Sequence, residues 1–114
     1  MTRATTPFLI AVAAALSLTT PPEASAQDAA KGEGVYNAQK CSVCHAVAGK
    51  GNKANPLDGV GAKLSAGDIR AWIVDPVAMT AKTGSQKKPP MPKKWATLPA
   101  AELDGLVAYM QSLK

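Results

Sequence analysis

The sequence is short of the groups that usually fill or furnish a small domain. In 114 residues it has one Phe, two Trp, two Tyr and one His. So few rings make a thin core, and a single domain of this size buries only a modest fraction of its surface. A large apolar insert, a metal or a cross-link is therefore expected at the centre. The lone His45 excludes a histidine-rich metal cluster. With only Cys41 and Cys44 there is no disulfide framework, and no cysteine stands where a lipid-modified mature N-terminus would need one. Acidic residues are also few, 8 against 13 Lys and Arg, for a net charge of +5. This balance favours an acidic partner, but the basic residues are dispersed and form no dense tract that points to nucleic acid. The length leaves no room for a separate catalytic domain.

The one long apolar run, Phe8 to Leu18, follows Arg3 and precedes Pro21-Pro22-Glu23 and the small triplet Ala24-Ser25-Ala26. It is shorter than the roughly 20 residues that span a bilayer as a helix. The layout is that of a secretory signal peptide cleaved after Ala26. Residues 1–26 are read as that signal and 27–114 as the mature domain, exported and without a membrane anchor. Loss of Arg3 and Glu23 with the signal leaves the balance at +5.

Three segments carry helical patterns and none reads as a strand, so the fold class expected is all-α with long loops. The first helix is placed at about Asp28 to Lys40, with Ala30, Gly34, Val35 and Ala38 near a helical period. Gly32 and Gly34 weaken it and imply close approach of another backbone. The second begins at Ser65, with capping-box spacing to Asp68, carries Ile69, Trp72 and Ile73, and stops at Asp75-Pro76. The third opens near Pro99, with Leu103, Leu106, Val107, Met110 and Leu113 on one stripe. Ala46 to Lys63 and Val77 to Leu98 are read as loops, the second containing Lys87-Lys88-Pro89-Pro90-Met91-Pro92-Lys93-Lys94.

Cys41-Ser42-Val43-Cys44-His45 is a C-x-x-C-H motif, the pattern of covalent c-type haem attachment. Two thiols three residues apart can each add to a vinyl group on one porphyrin edge, and the adjacent imidazole can turn under the ring to ligate iron. A thioredoxin-like dithiol needs a βαβ pattern that is missing here. A structural zinc site needs four ligands, and the chain offers two Cys and one His. A plain Cys41–Cys44 disulfide would leave His45 unexplained.

With this motif in place, Asp28 to Lys114 resembles a class I monohaem cytochrome c of the small bacterial type. The matching features are Gly32 and Tyr36 leading into the motif, Asn55-Pro56-Leu57, Leu64 to Pro76 with Trp72, Pro90-Met91-Pro92, and the closing Leu106 to Leu113. A long, Lys-rich loop before Met91 departs from that pattern. The resemblance implies a cytochrome c fold of three main helices wrapped around one haem c bound through Cys41 and Cys44. It also implies that His45 is one axial ligand and that its free ring N–H donates to the carbonyl of Pro56.

The second ligand has several candidates. Met91, held extended between Pro89, Pro90 and Pro92, is favoured and stands where the family has its methionine. Met110 lies on an apolar helical stripe and reads as core. Met79 or an open sixth site are the alternatives. Leu57 and Leu64 are expected to line the ring. Trp72 and Trp95 either contact the haem or are ordinary core, while Tyr36 and Tyr109 help the first and last helices cross.

The function implied is that of a monomeric periplasmic one-electron carrier rather than an enzyme, docking on redox proteins with an acidic surface. The alternatives are a sensor or peroxidase-like protein with an open iron site, or an electron-transfer subunit of a larger oxidoreductase.

Overall fold

Helix α1, Pro22–Ala38, starts earlier than the sequence pattern indicates. Pro22 opens it because the fixed φ and missing N–H of proline suit the first helical position. The computed structural model describes residues 22–114, so the run Phe8 to Leu18 and the signal reading built on it lie outside the described residues. The expected cleavage point after Ala26 falls within the first turns of α1. At its other end α1 stops before Lys40, whose backbone enters the left-handed region at φ 56°. A single 3-10 turn, Cys41–Val43, follows at once.

Two short strands, β1 (Ala46–Val47) and β2 (Lys50–Gly51), then pair antiparallel with Ala46 opposite Gly51. The expectation of no strand is corrected to this extent. Ala48 and Gly49 make the two-residue turn between them, both at positive φ as such tight hairpins require. Ala46 also bridges in parallel to Pro56, which folds the 52–57 segment back on the motif.

The rest is helical: α2 (Val60–Lys63), α3 (Ala66–Val74), α4 (Pro76–Thr83) and α5 (Ala100–Ser112). Ser65 caps α3 as its spacing indicates, its hydroxyl accepting the Asp68 N–H at 3.1 Å. Asp75-Pro76 both ends α3 and begins α4. The Asp75 carboxylate accepts from the Ala78 N–H at 3.3 Å, and Gly84, in the left-handed region, closes the helix. Among the described residues the chain therefore has five α-helices rather than three, and α4 and α2 take up parts of the two segments expected to be loops. A proline reads as a stop because it restricts its predecessor, yet the same residue is well placed at the start of the next helix.

The core sits where α1 and α5 cross. Tyr36, Ile69, Ile73, Leu103, Leu106, Val107, Tyr109 and Met110 form one buried cluster. The crossing is close: a Cβ on Gly32 would lie 1.8 Å from the Gly105 carbonyl oxygen. Gly34 meets nothing within 4 Å, so the packing reason belongs to Gly32 alone. The Tyr36 and Tyr109 rings meet edge to face at 5.5 Å beside the crossing. Arg70 on α3 pairs with Asp104 on α5. The Gly61 N–H donates to the Leu113 carbonyl at 2.8 Å, Lys114 Nζ to the Gly61 carbonyl at 2.9 Å, and Gln111 Nε2 to the Leu64 carbonyl at 3.0 Å, so α2 is stitched to the end of α5.

Candidate functional site

The side chains of this core leave a cavity of about 640 Å³. That is within the range of about 300–1,000 Å³ found for small-molecule and cofactor sites. Its walls are largely apolar, with Leu57, Val60 and Leu64 on one segment, Ile69, Trp72 and Ile73 from α3, and Leu106 and Met110 from α5. Cys41, Cys44 and His45 line the same space, and so do Met91, Trp95 and Lys94 from the Pro-rich loop. The turn after α1 thus delivers the thiols and the imidazole to the void that the thin aromatic core leaves open.

Each sequence-derived site residue can now be placed. Cys41, Cys44, His45, Met91, Leu57, Leu64, Trp72 and Trp95 all line the cavity. Pro56 does not. His45 Nδ1 lies 3.2 Å from the carbonyl oxygen of Asn55, rather than that of Pro56 as the resemblance implied. The reason is the parallel bridge at Ala46. Asn55 O accepts from the Ala46 N–H at 3.4 Å and the Leu57 N–H donates to Ala46 O at 2.8 Å, so the Asn55 carbonyl is the one turned toward the histidine.

Met79, 7% exposed on α4, does not line the cavity. Met110 lines it from within the α5 core cluster. Trp95 Nε1 donates to Gln39 Oε1 at 3.1 Å, which fixes that indole against the end of α1. Ile69, Ile73 and Val60 line the cavity without having been singled out, although the helical periodicity of α3 marks the first two. Asn52 carried no signal, and Asn55 stood out only as part of Asn55-Pro56-Leu57, because their roles at His45 depend on a turn that tertiary contacts close.

The hydrogen bond at His45 decides its tautomer. A carbonyl oxygen can only accept, so Nδ1 carries the proton and Nε2 is left with its lone pair free for a metal. Burial lowers the imidazole pKa from its ordinary value, with the Asn55 carbonyl acting the opposite way, and so favours the neutral ligand form. Burial raises the pKa of the Cys41 thiol, opposed by a backbone hydrogen bond and by Lys94. A large apolar ring that bonds two thiols and accepts an imidazole fits this donor set and these walls.

The family model for cytochrome c matches residues 29–114. The chain belongs to the cytochrome c family. Searches of curated proteins and of solved structures return no match. The fold is thus an all-α cytochrome c domain that carries haem c covalently through Cys41 and Cys44, and its function rests on haem-based electron transfer. Small members of this family usually act outside the cytoplasm as electron carriers.

Proposed function

We propose that the protein is a periplasmic one-electron carrier whose iron is held between His45 and Met91, and that it is not an enzyme. The observation that supports this most directly is the joint placement of Cys41, Cys44, His45 and Met91 on one apolar cavity, with Met79 buried away from it. When bound, haem supplies the exchange of a single electron between ferrous and ferric states. The residues of the chain supply the setting. Cys41 and Cys44 fix the ring by thioether bonds, and His45 presents Nε2 through the Asn55 hydrogen bond. Met91 offers a soft thioether, which raises the potential relative to a second histidine. Leu57, Leu64, Ile69 and Ile73 keep water from the ring and hold the local dielectric low.

Export after cleavage at Ala26, action as a monomer and the absence of a membrane anchor belong to the same reading. Among the described residues no helix is long and apolar enough to cross a membrane. The partner proposed is a redox protein with an acidic docking surface, since the net charge is +5 and Lys87, Lys88 and Lys94 stand beside Met91 in sequence. Lys93 is engaged elsewhere, its Nζ 3.5 Å from Asp75 Oδ2.

The test is sixth-ligand occupancy in the purified holoprotein. A thioether-to-iron charge-transfer band in the ferric spectrum, with slow or absent carbon monoxide binding to the ferrous form, is the expected result. Rapid carbon monoxide binding without that band would favour the open-site sensor or peroxidase-like reading. Stable co-purification with an oxidoreductase would favour a dedicated subunit.

A further inference from the structure

Asn52 makes more contacts to the haem-attachment motif than any role so far described requires. Its backbone N–H is shared between the carbonyls of Ser42 at 3.1 Å and His45 at 2.9 Å. Its side-chain Nδ2 donates to the Val43 carbonyl at 3.3 Å. Three of the five motif carbonyls therefore converge on one residue. On its other side, Oδ1 accepts from the Ala54 N–H at 3.1 Å and the backbone carbonyl accepts from the Asn55 N–H at 3.3 Å. Those two bonds close the 52–55 turn that brings the Asn55 carbonyl to within 3.2 Å of His45 Nδ1.

The approach is possible because of the residue before it. Gly51 has φ 108°, and a Cβ there would lie 2.2 Å from the His45 carbonyl oxygen. A side-chain amide at the next position has both a donor and an acceptor, and the two are used in opposite directions. Nδ2 reaches back to the attachment turn while Oδ1 reaches forward to the turn that orients the histidine.

We infer that Asn52 is a positioning residue for the axial imidazole: through Oδ1 it holds the 52–55 turn closed, and the turn holds the Asn55 carbonyl on His45 Nδ1–H. The inference rests on His45 being the iron ligand. A hydrogen bond to the free N–H of a metal-bound histidine fixes ring orientation and raises ligand basicity. Opening the turn therefore weakens the imidazole as a donor to iron and favours the ferrous state.

The inference is tested by NMR on the ferrous holoprotein, following hydrogen exchange of His45 Nδ1–H, together with the reduction potential. In Asn52→Ala, exchange at Nδ1–H is expected to speed up about tenfold, the effect of losing one modest hydrogen bond from a local opening equilibrium. The potential is expected to rise, while amide exchange in α5 stays unchanged. Asn52→Asp keeps an oxygen that can accept from Ala54 but sets a charged carboxylate oxygen against the Val43 carbonyl in place of the donor, so it is expected to exchange more slowly than Asn52→Ala without fully reaching the wild-type rate. Ala54→Pro removes the N–H that Oδ1 accepts and is expected to reproduce the alanine phenotype with Asn52 intact, which covers the case in which Asn52→Ala yields no holoprotein.

Unchanged Nδ1–H exchange in Asn52→Ala or Ala54→Pro would overturn the inference. So would equal acceleration throughout α5, which marks general destabilisation, or exchange in Asn52→Asp as fast as in Asn52→Ala. Failure of the ligand assignment itself would look different, because His45 ring resonances in the unaltered protein would then lack the shifts that a haem-bound imidazole shows.

Discussion

Met91, Met79 and Met110 are chemically alike, and their surroundings separate them. Met91→Ala is expected to open the sixth position, abolish the thioether band and lower the reduction potential, read by ferric absorption and by titration. Met79 and Met110, both 7% exposed, belong to packing. Replacing either with Ala is expected to leave the iron spectrum largely intact while costing about 2–5 kcal/mol of stability in denaturant unfolding. Loss of the band in Met79→Ala alone would overturn the ligand assignment.

Tyr36 is 4% exposed, and its hydroxyl is buried with no hydrogen-bond partner among the described residues. Burial pushes its pKa up to about 12 from the ordinary 10.0. In that window the native state keeps a proton that the unfolded chain gives up, so stability is full below pH 10.0 and is lost as pH rises toward about 12. Tyr36→Phe removes both the orphan hydroxyl and the titration. It is expected to be neutral or slightly stabilising at pH 7 and to flatten the alkaline loss, measured as the unfolding midpoint against pH.

The α1–α5 crossing anchors the core cluster from which Leu106 and Met110 line the cavity. Gly32→Ala places a methyl into the Gly105 carbonyl and must spread the two helices, so it is expected to destabilise by about 1–3 kcal/mol or more. Gly34→Ala, four ångströms or more from any neighbour, is expected to gain about 0.5–1 kcal/mol from helix propensity. The pair, compared by denaturant midpoint, isolates the packing from the propensity, and equal effects would show that α1 and α5 do not meet at Gly32. The junction at Asp75 illustrates the other kind of control. One carboxylate caps α4 through Ala78 and also meets Lys93 at 3.5 Å, tying the Met91 loop to the helical layer. Both groups are well exposed, so the pair itself adds little stability.

Across the whole molecule, the cofactor and the net charge set behaviour. The cluster around Ile69, Ile73, Leu106 and Met110 borders a void of about 640 Å³, so haem is in effect part of the core. Because thioether bonds keep haem on the unfolded chain too, it would stabilise the native state through the apolar burial and the ligation that only the folded chain provides. Replacing Cys41 and Cys44 together is expected to abolish covalent attachment, seen as loss of the haem increment by mass spectrometry, and to leave a chain that no longer folds cooperatively. Single replacements leave at most one thioether. For the proposed docking, association with an acidic redox partner is expected to slow as salt rises, with screening over about 8 Å at physiological ionic strength. Lys87→Glu and Lys88→Glu are expected to slow it further without moving the potential. Lys93→Glu also breaks the contact with Asp75, so its effect mixes docking with loop anchoring. Rates indifferent to salt and to both charge reversals would place docking on another face.

The chemistry was legible in the sequence because it is local. Cys41, Cys44 and His45 are bound to one another by chain spacing alone, and spacing survives any tertiary arrangement. The Ser65 cap, the stripe from Leu103 to Met110 and the scarcity of rings that called for an insert are likewise properties of contiguous residues or of composition. What the linear pattern left open depended on groups distant in the chain meeting in space. Gly32 and Gly34 are equivalent until α5 crosses one of them. Pro56 and Asn55 offer equal carbonyls until the bridge at Ala46 turns one toward His45, and Asn52 is an ordinary loop residue until Gly51 lets it close on the attachment turn. Pro76 is different, since both its roles are local: it restricts Asp75 at the end of α3, and Asp75 in turn caps α4 through Ala78 three residues on. Covalent spacing and periodicity determine what a segment can do, and tertiary packing decides which of several equivalent groups is brought within hydrogen-bonding or van der Waals range to do it.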